Sequence, residues 1–213
     1  MGRLAFTLLS EGSSDRALIP ILLWSLRQHS GWMFQPQWAD LRRLANPPRT
    51  LEGRVRAAIE LYPCDLLFVH RDGNRVGFER RREEIRAALE QTSGHPTIAV
   101  VPVRTQEAWL LFHEGAIRTA AGNPNGQEPL DLPALHRLEE VPDPKGLLHE
   151  ILRNASGLGT RRRRSLRLGP ALHRIAELVD DYSPLRTLPA FNAFERDLAA
   201  RLGAQGWQRE GAS

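Results

Sequence analysis

The stretch Asp65-Leu66-Leu67-Phe68-Val69-His70-Arg71-Asp72-Gly73-Asn74 decides the fold. Its five uncharged residues, Leu66 to His70, run straight into a polar turn. A short apolar run closed by turn residues is the mark of a strand buried on both faces, as in a parallel sheet. The flanks agree, since residues 50–62 and 80–91 carry helical spacing and put the strand inside a helix-strand-helix unit. In open parallel sheets chemistry gathers beyond the carboxyl ends of the strands. Asp72 stands there, where a carboxylate reaches solvent and a metal while the strand behind it stays dry. Taken alone, Asp72-Gly73-Asn74 is better accounted for as the turn that ends the strand.

Upstream, residues 3–10 read as a first strand that runs into Glu11-Gly12-Ser13-Ser14-Asp15. Ser13 or Ser14 is the expected cap of a helix over residues 16–28, with Pro20 in its first turn. Glu11 thus holds the same kind of position as Asp72, with a glycine behind it that admits a close approach. Alternatively, Glu11 and Asp15 only favour the positive end of the following helix. Residues 31–40 form a second strand, which Pro36 assigns to an edge. A helix from Thr50 to about Pro63 then delivers the chain to the central strand.

Downstream, Arg80, Arg81, Arg82 and Arg86 alternate with Glu79, Glu83, Glu84 and Glu90 on a helix, the pattern of a solvated face. Residues 97–103 make a β-branched strand that ends at Arg104-Thr105-Gln106-Glu107, with a helix starting at Ala108. Three carboxylates therefore follow three apolar strands. If those strands are parallel neighbours, the acids converge on one edge of the sheet.

After the polar loop at residues 122–129 the pattern changes to helices over 132–140, 145–153, 166–179 and 188–202. The expected organisation is an α/β core over 1–121 and a helical extension over 122–213, with an arginine-rich loop at 153–167 and a frayed tail after Gly206. Residues 151–176 hold seven arginines and no acid. Of these, Arg161, Arg162, Arg163, Arg164 and Arg167 are candidates to hold a phosphate backbone, as are Arg71 and Arg75. A solvated basic loop or a site for an acidic protein partner is the alternative.

The 213 residues are 41% hydrophobic, enough for one sizeable core. The longest apolar runs are too short for a membrane span or a secretory leader, so a soluble, cytoplasmic protein is expected. Cys64 is the only cysteine, which excludes an internal disulfide and a cysteine-based zinc site. Net charge is +4, and of the 29 basic residues only Lys145 is a lysine. Arginine suits phosphate, although a coding bias would give the same count. Any mechanism that needs a lysine must use Lys145. Neither a phosphate-binding P-loop nor a dinucleotide fingerprint is present.

Glu11-Gly12-x-x-Asp15, Asp72-x-Asn74 and Gln106-Glu107-Ala108-Trp109-Leu110-Leu111, in that order, resemble the Toprim domain. More narrowly, the chain is similar to small stand-alone bacterial Toprim-like proteins that accompany ATPases of the overcoming-lysogenisation-defect type in anti-phage or mobile-element loci. Asp143-Pro144-Lys145-Gly146-Leu147-Leu148 and Leu185-Arg186-x-Leu188-Pro189-x-Phe191-x-x-Phe194-x-x-Asp197-Leu198 extend the likeness over most of the chain. The resemblance implies a Toprim-like (Rossmann-like) parallel sheet flanked by helices with a C-terminal helical extension. It implies Glu11 as general acid or base or metal ligand, and Asp72 and Glu107 as ligands of magnesium or manganese. Asn74 stands where the family carries a second acid. Its carbonyl oxygen can ligate a hard cation without adding charge.

Phosphodiester cleavage must stabilise charge on the attacking and leaving oxygens, and a magnesium ion held by carboxylates does so while keeping a water as nucleophile. His70, beside the site, is either a proton carrier or a packed strand-end residue. The expected function is a metal-dependent nuclease acting on DNA or RNA, the effector of an ATPase-coupled defence pair. The alternatives are a catalytically degenerate module that binds nucleic acid or the ATPase, and a small-molecule phosphohydrolase.

Overall fold

In the computed structural model, which describes residues 2–90, 92, 94–163 and 165–209, four strands form one sheet. They are β1 (Arg3–Leu9), β2 (Met33–Ala39), β3 (Leu66–His70) and β4 (Thr97–Val100), all parallel, in the order β2-β1-β3-β4. The α/β expectation is met at that level. Every residue of β3 is buried, as its unbroken apolar run requires. Pro36 lies on the edge strand, where its missing N–H costs no ladder bond.

The helices are α1 (Leu18–His29), α2 (Leu51–Leu61), α3 (Phe78–Glu90), α4 (Glu114–Ala120), α5 (Pro144–Ala155), α6 (Thr160–Arg163), α7 (Leu168–Leu178) and α8 (Pro189–Ala204). Side-chain alternation sends Leu67 and Val69 to one face, against Val55, Ala58 and Ile85 of α2 and α3. It sends Leu66 and Phe68 to the other, where α1 and the C-terminal helices cover them. Phe68 lies 6.3 Å from Phe194 of α8, and Trp109 meets Phe191 edge-on at 5.2 Å. The helices after residue 121 thus complete the core on that face. The helix joining β1 to β2 and those joining β2 to β3 and β3 to β4 lie on opposite faces, so the strand order reverses between β1 and β3. That is the switch point at which open sheets bind ligands.

Local expectations failed in several places; the helix expected over 132–140, for example, is a 310 segment over Leu135–Glu140, and the strand expected over 97–103 ends at Val100. Ser13 takes the cap position before a 310 turn (Ser14–Ala17), but its side chain caps nothing, and α1 starts only at Leu18. Pro20 does fall in the first turn of α1. The segment after β4 forms a 310 turn (Gln106–Leu110) rather than an α-helix. Helix α3 is more than a solvated face, because Arg82 pairs with Asp197 of α8 at 2.8 Å and Arg81 Nε donates to the Asp72 carbonyl at 3.1 Å. Of the tail expected to fray after Gly206, Trp207 and Arg209 are tied down, while residues 210–213 lie outside the described residues. Ser30 Oγ donates to the Trp207 carbonyl and Arg209 N donates to His29 O at 3.2 Å. Among the described residues no helix is long and apolar enough to cross a membrane.

Candidate functional site

Because β1, β3 and β4 are parallel neighbours, Glu11, Asp72 and Glu107 all follow carboxyl ends on one edge of the sheet. The backbone after β3 stays paired with the chain after β4. Arg71 N donates to Val100 O at 3.3 Å, Gly73 N to Pro102 O at 3.0 Å and Asn74 N to Arg104 O at 3.0 Å. A Cβ on Gly73 would lie 2.3 Å from the Val103 carbonyl oxygen, so only glycine fits between the two segments. Asn74 then turns the chain at φ 43°. The triplet is a turn, and it is also the support that fixes Asp72.

Asp72 is the centre of a polar network. Its Oδ1 accepts from the Gln106 amide at 3.2 Å and lies 3.3 Å from His70 Nε2. His70 is buried, and its Nδ1 donates to the Val100 carbonyl at 2.9 Å. Burial favours the neutral imidazole, but the hydrogen bond and charge of Asp72, the charge of Asp15 and the Val100 carbonyl outweigh it, and the His70 pKa is raised. Gln106 Nε2 also donates to Asp15 Oδ1 at 3.2 Å, and Asp15 Oδ2 accepts from Gly12 N at 2.8 Å. The buried Asp15 and Gln106 therefore join the ends of β1, β3 and β4. Both stood in the sequence motifs, Asp15 only as a charge at the start of a helix and Gln106 with no role, and their burial next to strand ends was the missing signal.

Glu107 is 2% exposed, fixed by the turn that Trp109 anchors in the core. Burial pushes its carboxyl up, and the Asp72 charge adds to that against the Lys145 ammonium, which stands 3.9 Å from Oε1. The chain's one lysine thus reaches the acids from the first turn of α5. Helix α5 is capped by Asp143, whose side chain accepts from Gly146 N at 2.9 Å.

Glu11 is half exposed and turned toward arginine. Its Oε1 lies 2.9 Å from Arg71 Nε and 4.0 Å from Arg54 Nη1. Asn74 and Arg75 are exposed. Arg161, Arg162 and Arg167 are exposed, whereas Arg163 is bound to its own segment, Nε donating to Leu158 O at 2.6 Å and Nη1 to Asn154 Oδ1 at 3.2 Å. Thr160–Arg163 forms a helical turn. Arg164 lies outside the described residues.

The donors at this edge are all oxygens, which suits a hard divalent cation. Among the described residues Asp72 Oδ2 accepts no hydrogen bond, and Gln106 Oε1 is buried without a partner. No three of the described His, Cys, Asp and Glu residues form a group that could hold an ion, and Glu11 is turned to the arginines instead. Comparison of the chain with protein-family models, curated proteins and solved structures gives no match.

Proposed function

We propose that this chain is a Toprim-like nuclease, dependent on magnesium or manganese, that cleaves phosphodiester bonds of DNA or RNA. One observation carries the reading: Glu11, Asp72 and Glu107 follow three neighbouring parallel strands on one sheet edge, with Asp72 beside the switch point. Asp72 and Glu107, with the Gln106 amide oxygen, would hold the ion, which supplies charge stabilisation and an activated water. Glu11 is the acid or base at the reacting oxygens. His70 is a positioning residue in this reading, since its ring is buried and both nitrogens are engaged. Its Nε2, 3.3 Å from Asp72 Oδ1, orients that carboxylate. Lys145, half exposed with its ammonium 3.9 Å from Glu107 Oε1, offers positive charge to the phosphate that is being cleaved. Exposed Arg75, Arg161, Arg162 and Arg167 bind the strand outside the site. The ATPase partner and the defence context rest on the resemblance alone.

Asn74 favours a second reading, a degenerate module that binds nucleic acid or the ATPase. It is exposed and brings no charge where the Toprim pattern has an acid. A nuclease assay with purified protein, in magnesium and in manganese, separates the two on wild type, Asp72→Ala and Asn74→Asp. Cleavage lost in Asp72→Ala and raised in Asn74→Asp is the result expected. Equal cleavage by wild type and Asp72→Ala excludes the nuclease reading.

A further inference from the structure

Beside the acids lies a cleft that the reading above leaves unused. The ends of β1 and β2, the loop at residues 40–49 and α2 enclose about 240 Å³, with Glu11, Trp38, Asp40, Arg42, Arg49 and Arg54 among its walls. Its charges do not balance. Asp40 is taken up by Arg42, through Nε at 2.7 Å and Nη2 at 3.1 Å, and by Arg43 Nε at 3.2 Å. Arg42 is further fixed over the Trp38 ring, 5.0 Å from its centroid, and the Trp38 indole is held by its N–H bond to Ser10 Oγ at 2.9 Å.

That leaves Arg49 and Arg54 on the cleft wall, while Arg71, outside the lining, reaches the Glu11 carboxylate at 2.9 Å. Among the described residues Arg49 has no ion-pair partner. Arg54 is 20% exposed and anchored by its Nη2 to the Ser10 carbonyl at 2.5 Å, and its nearest carboxylate is 4.0 Å away. Burial pushes its guanidinium below the ordinary value, partly opposed by Glu11 and reinforced by Arg71. Desolvated positive charge of this kind is costly until a well-matched anion meets it. One half-exposed carboxylate, Glu11, serves Arg54 and Arg71 together.

We propose that this cleft is a phosphate-binding site, and that Glu11 occupies the place of the phosphate while the protein is free. A phosphate offers several oxygens to the guanidinium forks of Arg49, Arg54 and Arg71, whereas Glu11 offers Arg54 a contact at the limit of an ion pair. Phosphate entry displaces the Glu11 carboxylate from Arg71 and frees it for the neighbouring acids. The inference rests on the nuclease reading only in taking the phosphate to be one of the substrate's own. Binding at this cleft is the switch that releases Glu11.

The test is anisotropy of a short fluorescein-labelled single-stranded DNA in EDTA, so that cleavage does not enter, with inorganic phosphate as competitor. Arg49→Ala and Arg54→Gln should each weaken binding on the order of tenfold. Glu11→Gln should tighten it severalfold, because it removes both the competitor and a like charge. Opposite signs for Glu11 and the arginines are what a merely basic surface does not produce. Arg49 sits on an exposed loop, so its variant reports even if Arg54→Gln folds poorly. Competition by inorganic phosphate identifies a site for the free anion. Binding without competition identifies one that needs the diester strand. Unchanged affinity in Glu11→Gln and in both arginine variants overturns the proposal, and so does a shift of all three in one direction. If the opposite signs hold but wild type cleaves with neither metal, the cleft stands and the nuclease reading falls. If Asp72→Ala abolishes cleavage while the cleft variants bind as wild type, the reverse follows.

Discussion

His70 and Asp72 are joined across the end of β3: Nε2 of the buried imidazole lies 3.3 Å from Asp72 Oδ1 while Nδ1 donates to the Val100 carbonyl. The Val100 carbonyl fixes a proton on Nδ1, and the Asp72 charge beside Nε2 favours a second one there. Asp72 therefore raises the His70 pKa against the opposing effect of burial. Replacing Asp72 with Asn removes the charge that supports the imidazolium. In an NMR titration the His70 pKa should fall. An unchanged titration would show that Asp72 does not control the ring.

The same pair makes stability depend on pH. A histidine whose folded pKa is raised contributes stability that is present below its unfolded value and lost as pH climbs through the folded one. Denaturant melts should therefore show wild type losing stability as pH rises above about 6.5, the unfolded histidine value. Glu107, whose carboxyl is also pushed up, acts in the same sense from about 4.5, its unperturbed value. His70→Asn should flatten the upper part of the profile and leave the lower part in place.

Gly73 and Gly12 look alike in sequence and differ in the fold. At Gly73 a Cβ meets two backbone carbonyl oxygens, at 2.3 and 2.7 Å, which side-chain movement cannot relieve. Gly73→Ala should cost about 1–3 kcal/mol and displace Asp72. At Gly12 the nearest atom to a Cβ is Ser14 Oγ at 3.5 Å. Gly12→Ala should change stability by less than about 0.5 kcal/mol. Equilibrium urea unfolding of both variants checks the contrast.

The arginine-rich segment should divide by residue. Alanine at Arg161, Arg162 or Arg167 should lower the log-log salt slope of duplex binding by roughly 0.9 for each phosphate left without its guanidinium. Arg163→Ala should leave the slope unchanged and lower the melting temperature instead, since Arg163 closes its own turn through Leu158 and Asn154. Equal slopes in all four variants would assign the segment to another partner.

Trp207 packs against the core beyond the point where the helical pattern stops. Trp207→Ala should cost about 1–2 kcal/mol, less than a fully buried tryptophan, as measured by thermal unfolding. No loss of stability would mean that the tail lies free in solution.

The sequence by itself determined the elements and the positions of the acids. Local patterning suffices for this: unbroken apolar runs mark strands buried on two faces, Pro36 excludes a central place, and Thr50 caps α2 by accepting from Gly53 N at 3.1 Å. Glu11, Asp72 and Glu107 could accordingly be placed at strand ends. Tertiary structure alone decided which strands are neighbours, and hence that those ends meet. It also decided that Arg71 and Arg54 hold Glu11, that Asp15 and Gln106 are buried between strand ends, and that Lys145 reaches Glu107. The physical reason is distance along the chain. Glu11 and Arg71 belong to different strand ends, and their 2.9 Å separation exists only because β1 pairs with β3. No local propensity encodes that pairing, which is chosen by the total burial of both faces of the sheet.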